Sequence, residues 1–423
     1  MKAGAVVCGA GIAGVATAFQ LVVEQGMRDV VLVDPLPPLT LTSDKSSECY
    51  RNWWPNAPMV GLMNRSIDLL EDYAHRSGNA FHLTRHGYLY VTADRDRLSA
   101  MEAEAGLITD LGGGPHDFYA DGDRLRAHFP FLTESAVGGL HARRAGWFSA
   151  QQLGAWMLAE AKAAGLELIK GEATSIDSSG DRIRSVTVDG ATIETPVVIN
   201  AAGPMVKKVA RLVGVDLPVY SEVHIKVAFR DHLRVIPRAS PMVIWTDPQQ
   251  LDWSKEERSG LEEMGRDDLL NEMPPMCHYR PEGGVGSEWI VGLWEYHRLI
   301  QEPVWPLPDD SLYPEAVMRG LTTLVPGLRP YLDHLPQPVV DGGYYTKTRE
   351  NRPLVTRLGP AGSYLIGAFS GFGVMAAAAA GELLAQLVTG RELPVYARSF
   401  GLDRYQDPSY LAEIDAVSNT GQI

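Results

Sequence analysis

Residues 4–34 read GAVVCGAGIAGVATAFQLVVEQGMRDVVLVD, and this stretch decides the fold. A short apolar run is followed by a GxGxxG motif, an apolar pattern with helical spacing, and a second apolar run that ends in Asp34. Gly9 allows a tight turn, Gly11 lets the backbone approach a pyrophosphate at the helix N-terminus, and Gly14 lets helix and strand pack closely. Asp34 can accept hydrogen bonds from ribose hydroxyls. The motif requires a strand before it, a helix after it and an acidic residue at the end of the second strand, and all three are present. The stretch therefore predicts a dinucleotide-binding βαβ unit.

Composition indicates a globular protein without a nucleic-acid surface. Of the 423 residues, 45% are hydrophobic and 21% are charged, which is typical of folded domains. The formal net charge is −14, and no block of Lys and Arg occurs, so we expect no nucleic-acid partner.

The cysteines and the apolar segments predict a cytoplasmic protein. Cys8, Cys49 and Cys277 are scattered and odd in number, which suits a reducing compartment and predicts no disulfide framework. Met1 leads directly into the first strand, so we expect no signal peptide. The most apolar helical run, residues 374–388, is too short to span a bilayer and carries Glu382. The histidines form no HxH or HxxxH pair with nearby carboxylates, so we also expect no metal site.

Segments with nucleotide-domain character lie at the N-terminus, in the middle and near the C-terminus of the chain. Two other stretches separate them. These stretches consist of short segments that are Gly-rich or that alternate with aromatic residues, a pattern typical of antiparallel strands. The sequence therefore predicts a discontinuous nucleotide-binding domain of residues 1–80, 147–218 and 336–400. Residues 81–146 and 219–335 are predicted to form a substrate-binding domain, and residues 401–423 a C-terminal tail.

Four later segments follow the βαβ unit in the order of a known family. They are SDKSSE (43–48), VVINAAGP (197–204), GYYTKTRENRPLV (343–355) and GAFSGFG (367–373). With the N-terminal unit they resemble the FAD-dependent D-amino-acid oxidase, sarcosine oxidase and glycine oxidase superfamily. The resemblance implies an α/β fold, in which a Rossmann-like FAD-binding domain of the glutathione-reductase type carries an inserted antiparallel-sheet substrate domain.

The same resemblance implies that the cofactor is FAD. The residues expected to bind it are Gly9, Gly11, Ile12, Ala13, Gly14, Asp34, Ser43, Ser46, Ser47, Ala173, Ala201, Ala202, Gly203, Gly367, Ser370, Gly371, Phe372, Gly373 and Val374. A reduced flavin carries negative charge near N1 and C2=O, and a helix that begins at 371–373 offers free N–H groups and a positive dipole end to that charge. Gly342 and Gly343 leave no Cys beside the flavin segment, so we expect noncovalent binding.

The candidates for substrate contact follow from the needs of amine oxidation. Hydride leaves the α-carbon for flavin N5 once the amine is neutral and held in line, so positioning dominates. A substrate carboxylate needs an Arg or Lys with fixed geometry, and the candidates are Arg51, Lys226, Lys347, Arg349 and Arg352. We predict Arg51 and Lys347 as catalytic residues, together with Tyr345, which matches the family's flavin-side tyrosine.

Alternative interpretations of these residues stay open. Arg51 could instead pair structurally with Glu48 or Asp68. His224 and His297 flank sheet segments and are candidates to line the pocket, but a structural role is the simpler interpretation of each.

Two positions depart from the sarcosine oxidases of this family. Phe372 replaces the His of the Gly-rich turn, and Met375 stands where those enzymes carry a Lys near the flavin. A carboxylate anchor of that type is therefore absent, which argues against substrates of the sarcosine kind.

The resulting hypothesis is an FAD-dependent oxidoreductase that oxidises a C–N bond of an amino acid or secondary amine to an imine. Its partners would be a small-molecule amine and, as electron acceptor, O₂ or a redox partner. Two alternatives remain: oxidation of a 2-hydroxy acid or alcohol, and an FAD-binding assembly factor without turnover. A flavin-dependent hydroxylase is disfavoured, because that class carries Gly-Asp where residues 366–368 read IGA.

Overall fold

The structure, a computed structural model, describes residues 1–284, 286–296, 299–416 and 421. The strands are β1 (Ala5–Cys8), β2 (Val30–Asp34), β3 (Cys49–Arg51), β4 (Tyr88–Thr92), β5 (His116–Tyr119), β6 (Gly138–Ala142), β7 (Ala145–Trp147), β8 (Glu167–Lys170), β9 (Ala173–Ser179), β10 (Arg182–Val188), β11 (Ala191–Glu194), β12 (Val198–Asn200), β13 (Tyr220–Arg230), β14 (Met242–Trp245), β15 (Cys277–Glu282), β16 (Trp289–Leu293), β17 (Leu299–Ile300), β18 (Val339–Lys347), β19 (Leu354–Arg357) and β20 (Ser363–Gly367). The helices are α1 (Ile12–Phe19), α2 (Ala57–Ser77), α3 (Arg95–Asp110), α4 (Gly122–His128), α5 (Ala150–Ala163), α6 (Val206–Arg211), α7 (Lys255–Glu263), α8 (Tyr313–Leu324), α9 (Pro330–Asp333), α10 (Gly373–Thr389) and α11 (Pro408–Ala416).

A six-stranded sheet contains the predicted βαβ unit. Its order is β19-β20-β12-β1-β2-β8, and every neighbouring pair is parallel except β19 and β20. β1 pairs with β2 on one side and with β12 on the other, so the carboxyl ends at Cys8 and Asn200 lie side by side. In open parallel sheets this is the edge at which ligands bind.

Helices α1, α2, α5 and α10 share one hydrophobic core with this sheet. Small residues bring α10 against α1: the run Ala376–Ala380 is buried, and a Cβ added at Gly381 would lie 3.0 Å from the backbone carbon of Ala16. Because the two helices approach so closely, the N-termini of α1 and α10 border the same space beside the sheet.

A second, larger sheet has the order β17-β13-β16-β15-β14-β4-β6-β5, and β18 also pairs with β13. Its neighbours are antiparallel except β4 and β14, which are parallel. The parallel pair is the one departure from the predicted antiparallel sheet. It arises where two separate segments of the chain, residues 88–92 and 242–245, meet. This sheet packs on α8 in a core of its own.

Strand β18 joins one segment of the predicted nucleotide-binding domain to the second sheet. The sequence grouped residues 336–400 with the nucleotide-binding domain, yet β18 pairs with β13 from Val339 to Lys347 and so belongs to the second sheet. The segment passes from one sheet to the other, because β19 follows it directly in the first sheet. We propose the remaining domain boundaries as the sequence predicts them, with β18 assigned to the substrate-binding domain.

Candidate active site

A continuous cleft lies at the carboxyl ends of β1 and β12. It is formed by two adjoining cavities, which we name the Asp34 cavity (about 920 Å³) and the Tyr345 cavity (about 860 Å³) after one residue in each. Gly11, Ser43 and Ala201 border both cavities. The cleft therefore offers one long site rather than two separate pockets.

The residues predicted to bind the cofactor line this cleft, with two exceptions. Gly14 lies beneath the Gly-rich turn, where a Cβ would come within 1.8 Å of the carbonyl oxygen of Gly9. Phe372 turns away from the cleft and packs edge-on against Trp54, with 5.0 Å between ring centroids. Gly14 thus serves the packing of helix on strand, as the motif requires, and Phe372 joins the core.

The Gly-rich turn is fixed by close backbone contacts. Gly9 has φ +112°, and a Cβ there would lie 2.4 Å from the carbonyl oxygen of Ala201. The carboxylate of Asp34 accepts hydrogen bonds from the backbone N–H of Ala10 (2.7 Å) and of Leu36 (2.8 Å). Asp34 therefore shapes the turn as well as lining the cleft.

The loop between β2 and β3 closes over the N-terminus of α1. The Ser43 hydroxyl accepts a hydrogen bond from the Ile12 N–H at 2.9 Å. Two cations from the second sheet donate to consecutive carbonyl oxygens of the loop, Lys226 to Ser46 and Arg280 to Ser47, each at 2.8 Å. Burial lowers the pKa of Lys226. The second sheet therefore sets the shape of this loop.

The N-terminus of α10 faces the Tyr345 cavity without a side-chain cap. Its N-cap residue, Phe372, makes no side-chain hydrogen bond, and Gly373 and Val374 of the first turn line the cavity. Ser370 adopts φ +50° just before it, held by a hydrogen bond from its N–H to the Thr346 carbonyl oxygen (2.8 Å). Uncapped N–H groups and the positive end of the helix dipole favour an anionic group here.

Tyr345 stands where this helix end meets the second sheet. A Cβ at Gly371 would lie 2.2 Å from Cε2 of Tyr345, so only glycine lets the ring sit this close to the helix. The ring also stacks on His224, with 3.6 Å between centroids and 16° between planes. Burial raises the pKa of the Tyr345 phenol far above its usual value, so the phenol is neutral.

Behind Tyr345 lies a chain of charged side chains, which we call the charge array: Lys347, Glu222 and His224, which are buried, and Glu295, which is partly exposed. The Lys347 ammonium donates to Glu222 Oε2 at 2.8 Å, and His224 places Nε2 at 3.4 Å from the same oxygen and Nδ1 at 2.7 Å from Glu295 Oε1. Burial alone would raise the pKa of Glu222, but hydrogen bonds from His224 and Lys347 outweigh it and lower that pKa to about 2. Lys347 thus forms a buried ion pair with Glu222.

Arg51 lies in a different cavity from the one that Tyr345 lines. Its guanidinium donates to the carbonyl oxygens of Trp53 and Gly421 and stacks on Trp54, 4.3 Å from the ring centroid. Its partners differ from both alternatives considered from the sequence, Glu48 and Asp68. The cavity that Arg51 lines thus has neither Tyr345 nor Lys347 in its wall.

The remaining sequence candidates are placed as follows. Arg349 is exposed and pairs with Asp415, and Arg352 pairs with Glu413 at 3.0 Å, so both serve the packing of α11. His297 lies outside the described residues. Lys226 and His224 do line the Tyr345 cavity.

Sequence reasoning missed Glu222, Glu295 and Arg280. One signal was present: Glu222, His224 and Lys226 alternate with apolar residues along β13, and this period of two places three ionisable side chains on one face of a buried strand. Arg280 carried no such signal, since its partners come from a loop more than two hundred residues away.

The residues of the cleft fit an FAD molecule. The Gly-rich turn and the N-terminus of α1 border one part of the cleft, where backbone N–H groups suit a pyrophosphate. The uncapped end of α10 borders the other part and suits a ring that becomes anionic on reduction. In the described part of the chain, no group of three or more metal-ligating side chains occurs, and none of the helices described combines the length and apolarity that crossing a membrane requires.

Solved structures of flavoenzymes share this fold. The chain is similar to L-proline dehydrogenase from P. horikoshii (20% identity, TM-score 0.77, 97% of this chain and 98% of that chain covered). It is also similar to glycine oxidase from Geobacillus kaustophilus (16%, 0.76, 95% and 98%) and to iminodiacetate oxidase from Chelativorans sp. (18%, 0.72, 94% and 98%). At these identities the likeness shows the fold, and it confirms the predicted FAD-binding fold with its additional sheet.

Sequence comparison identifies the family. Among curated proteins none matches the chain. The sequence model of the DAO family, described as FAD dependent oxidoreductase, matches residues 5–387. That match spans most of the chain and confirms both the predicted family and the predicted cofactor. The protein is therefore a member of the DAO family of FAD-dependent oxidoreductases.

Proposed function

We propose that this oxidoreductase oxidises a C–N bond of an amino acid or secondary amine to an imine, which water then hydrolyses. The bound flavin supplies a hydride acceptor at N5. The residues around the cleft bind and orient the neutral amine, exclude water and hold Tyr345 in place. We propose noncovalent binding of the FAD, supported by Gly343, rather than a Cys, at the wall of the Tyr345 cavity.

The observation that carries this proposal is the junction of Tyr345 with the uncapped N-terminus of α10 in one cavity. The helix end favours the negative charge of a reduced flavin, and the neutral phenol beside it offers a hydrogen bond without adding a charge of its own. The three enzymes compared above are named for oxidation of proline, glycine and iminodiacetate, all of them amines that carry a carboxylate.

The predicted catalytic residues receive distinct roles in this proposal. Tyr345 faces the cleft and contacts the substrate, while Lys347 acts through Glu222 and His224 and so is a positioning residue. Arg51 stays a candidate anchor for a substrate carboxylate. For that role the carboxylate would replace the carbonyl oxygens of Trp53 and Gly421 that Arg51 now contacts.

Two wider aspects belong to the same proposal. We propose O₂ or a redox partner as the electron acceptor, and a cytoplasmic location, which three buried free cysteines support.

The decisive experiment is anaerobic bleaching of the flavin absorption by a panel of substrates. The panel contains amino acids with primary and secondary amines, secondary amines without a carboxylate, and 2-hydroxy acids. We expect bleaching by at least one amine and none by the matched hydroxy acid. Bleaching by a hydroxy acid alone would show that the enzyme oxidises a C–O bond instead of a C–N bond. If no compound bleaches the flavin, the proposal that the protein turns over such substrates is wrong. Admitting air afterwards separates an oxidase, which recovers its colour, from a dehydrogenase.

Gly371→Ala should slow flavin reduction while FAD stays bound. Alanine can adopt the backbone conformation, but its Cβ would meet Cε2 of Tyr345 at 2.2 Å and displace the ring. A misplacement of about 1 Å can cost about 10²-fold in rate, so we expect a loss of that order in the single-turnover rate constant. Gly106→Ala in α3 is the matched control, since a Cβ there would meet no atom within 4 Å and the residue lines neither cavity of the cleft. Equal rates in the two variants would remove Tyr345 from the reaction.

A further inference from the structure

A third cavity adjoins the Tyr345 cavity on the far side of His224. We name it the Glu295 cavity, and its lining includes Glu295, Trp294 and Tyr313. His224 and Ile225 line both this cavity and the Tyr345 cavity. His224 is 9% exposed, whereas a quarter of the Glu295 side chain is accessible. The wall between the two spaces therefore contains a buried imidazole whose partner reaches the outer cavity.

Both nitrogen atoms of His224 face carboxylate oxygens. Nδ1 lies 2.7 Å from Glu295 and Nε2 lies 3.4 Å from Glu222. A carboxylate only accepts hydrogen bonds, so both contacts are favourable when each nitrogen carries a proton. A neutral imidazole would turn one lone pair toward a carboxylate. The geometry thus selects the imidazolium.

Other charged groups around His224 agree with this protonation state. Within the array, Lys347 and His224 carry two positive charges and Glu222 and Glu295 carry two negative charges, so the array is neutral as built. Tyr345, which packs on the ring from β18, stays uncharged. In the Glu295 cavity, Arg266 is already paired with Asp310 at 2.9 Å.

We propose that His224 is a positioning residue of the amine oxidation. While its imidazole carries both protons, it is held between Glu222 and Glu295 and fixes the Tyr345 ring against the N-terminus of α10. Loss of one proton leaves the array with a net negative charge and frees one nitrogen from its carboxylate. The ring that stacks on it at 3.6 Å then loses its support, and a cation–π contact is lost with it.

The direction of the pH effect follows from the surroundings of His224. Burial alone would lower the pKa of His224, but Glu295 and Glu222 outweigh it and hold that pKa above its usual value. The imidazolium therefore persists to higher pH than that of an ordinary histidine, and its contribution is lost as the pH rises through the raised value. The single-turnover rate constant of flavin reduction at saturating substrate should therefore fall on the alkaline side, which is the same quantity that Gly371→Ala is expected to lower.

The inference rests on the proposed function for its kinetic readout, so a second readout is free of substrate. Oxidised holoenzyme is titrated with base, and the visible flavin spectrum reports movement of Tyr345 beside the cofactor. We expect a transition in the wild type at lower pH than ionisation of the flavin N3–H, and we expect that transition to be absent in His224→Gln. Glu295→Gln should shift the transition to lower pH by about one unit or more, because it removes an opposite charge in contact with the imidazole. His232→Gln is the matched control, since His232 packs on Tyr331 at 5.0 Å away from the cleft.

The outcomes separate the two proposals. If no amine bleaches the flavin but the spectral transition follows His224 and Glu295, the function is wrong and the positioning role stands. If amines bleach the flavin but His224→Gln keeps the wild-type spectral transition and the wild-type pH profile of the flavin-reduction rate, the positioning role is wrong. A transition in Glu295→Gln that is unmoved or moved to higher pH overturns it as well. That variant decides the question even if His224→Gln fails to fold.

Discussion

A Gly11→Val protein is expected to fold and to lose its FAD. Gly11 has φ −70° and ψ 177°, an extended conformation that valine adopts without strain. Its position borders both the Asp34 and Tyr345 cavities, so a branched side chain would fill the space that joins them. We expect FAD affinity to fall by about 100-fold or more, or roughly 3 kcal/mol. Fluorescence titration of the apoprotein with FAD measures this change.

Gly14→Ala is the informative comparison, because this substitution is expected to lower the stability of the fold. A Cβ at Gly14 would lie 1.8 Å from the carbonyl oxygen of Gly9, so α1 and β1 cannot keep their packing. We expect the free energy of unfolding of the apoprotein to fall by about 3 kcal/mol. Gly11→Val should lower the unfolding free energy of the apoprotein less than Gly14→Ala does, because a Cβ at Gly11 meets only the Ser43 hydroxyl oxygen, at 3.3 Å. If Gly11→Val binds FAD with wild-type affinity, the pyrophosphate lies elsewhere.

Lys347→Met should cause a large loss of stability. The variant leaves the Glu222 carboxylate, whose side chain is 3% exposed, without the ammonium that lies at 2.8 Å. Removing one partner of a buried ion pair typically costs about 3–5 kcal/mol, because the remaining charge stays desolvated. Denaturant unfolding of the apoprotein measures this change. Lys207→Met removes an exposed pair with Glu302 and should cost at most about 1 kcal/mol.

The pH dependence and a double variant test the same explanation. The pKa of Glu222 is lowered to about 2, so its contribution to stability is present at neutral pH and is lost as the pH falls toward that value. The difference between wild type and Lys347→Met should therefore shrink in acid. Glu222→Gln combined with Lys347→Met should lose less than the sum of the two single changes. Additive losses would show that the pair does not interact.

The cofactor half of the site could be predicted from sequence because its demands are local. Gly9 is required by φ +112° and Gly14 by its contact with the same turn, and both demands appear as glycines at fixed spacing. The order of the motifs then identified the family and the fold, since each motif lies at a turn between a strand and a helix or loop.

The charge array could not be predicted in the same way, because strand register assembles it. Pairing of β13 with β18 places Glu222 opposite Tyr345 and Tyr220 opposite Lys347, which brings residues more than 120 positions apart into contact. Arg51 illustrates the same limit: its guanidinium meets Gly421, 370 residues away. The local sequence around Arg51 does not predict that contact.

The hydrogen bonds from Lys226 and Arg280 to the carbonyl oxygens of Ser46 and Ser47 affect both the assembly and the evolution of the molecule. The neighbouring sheet holds the loop that is expected to bind FAD. FAD binding should therefore require that both halves of the molecule have assembled. A chimera that imports the nucleotide-binding half from a distant relative would need strands β13 and β15 to come with it. The two halves are therefore expected to be exchanged between proteins as one unit.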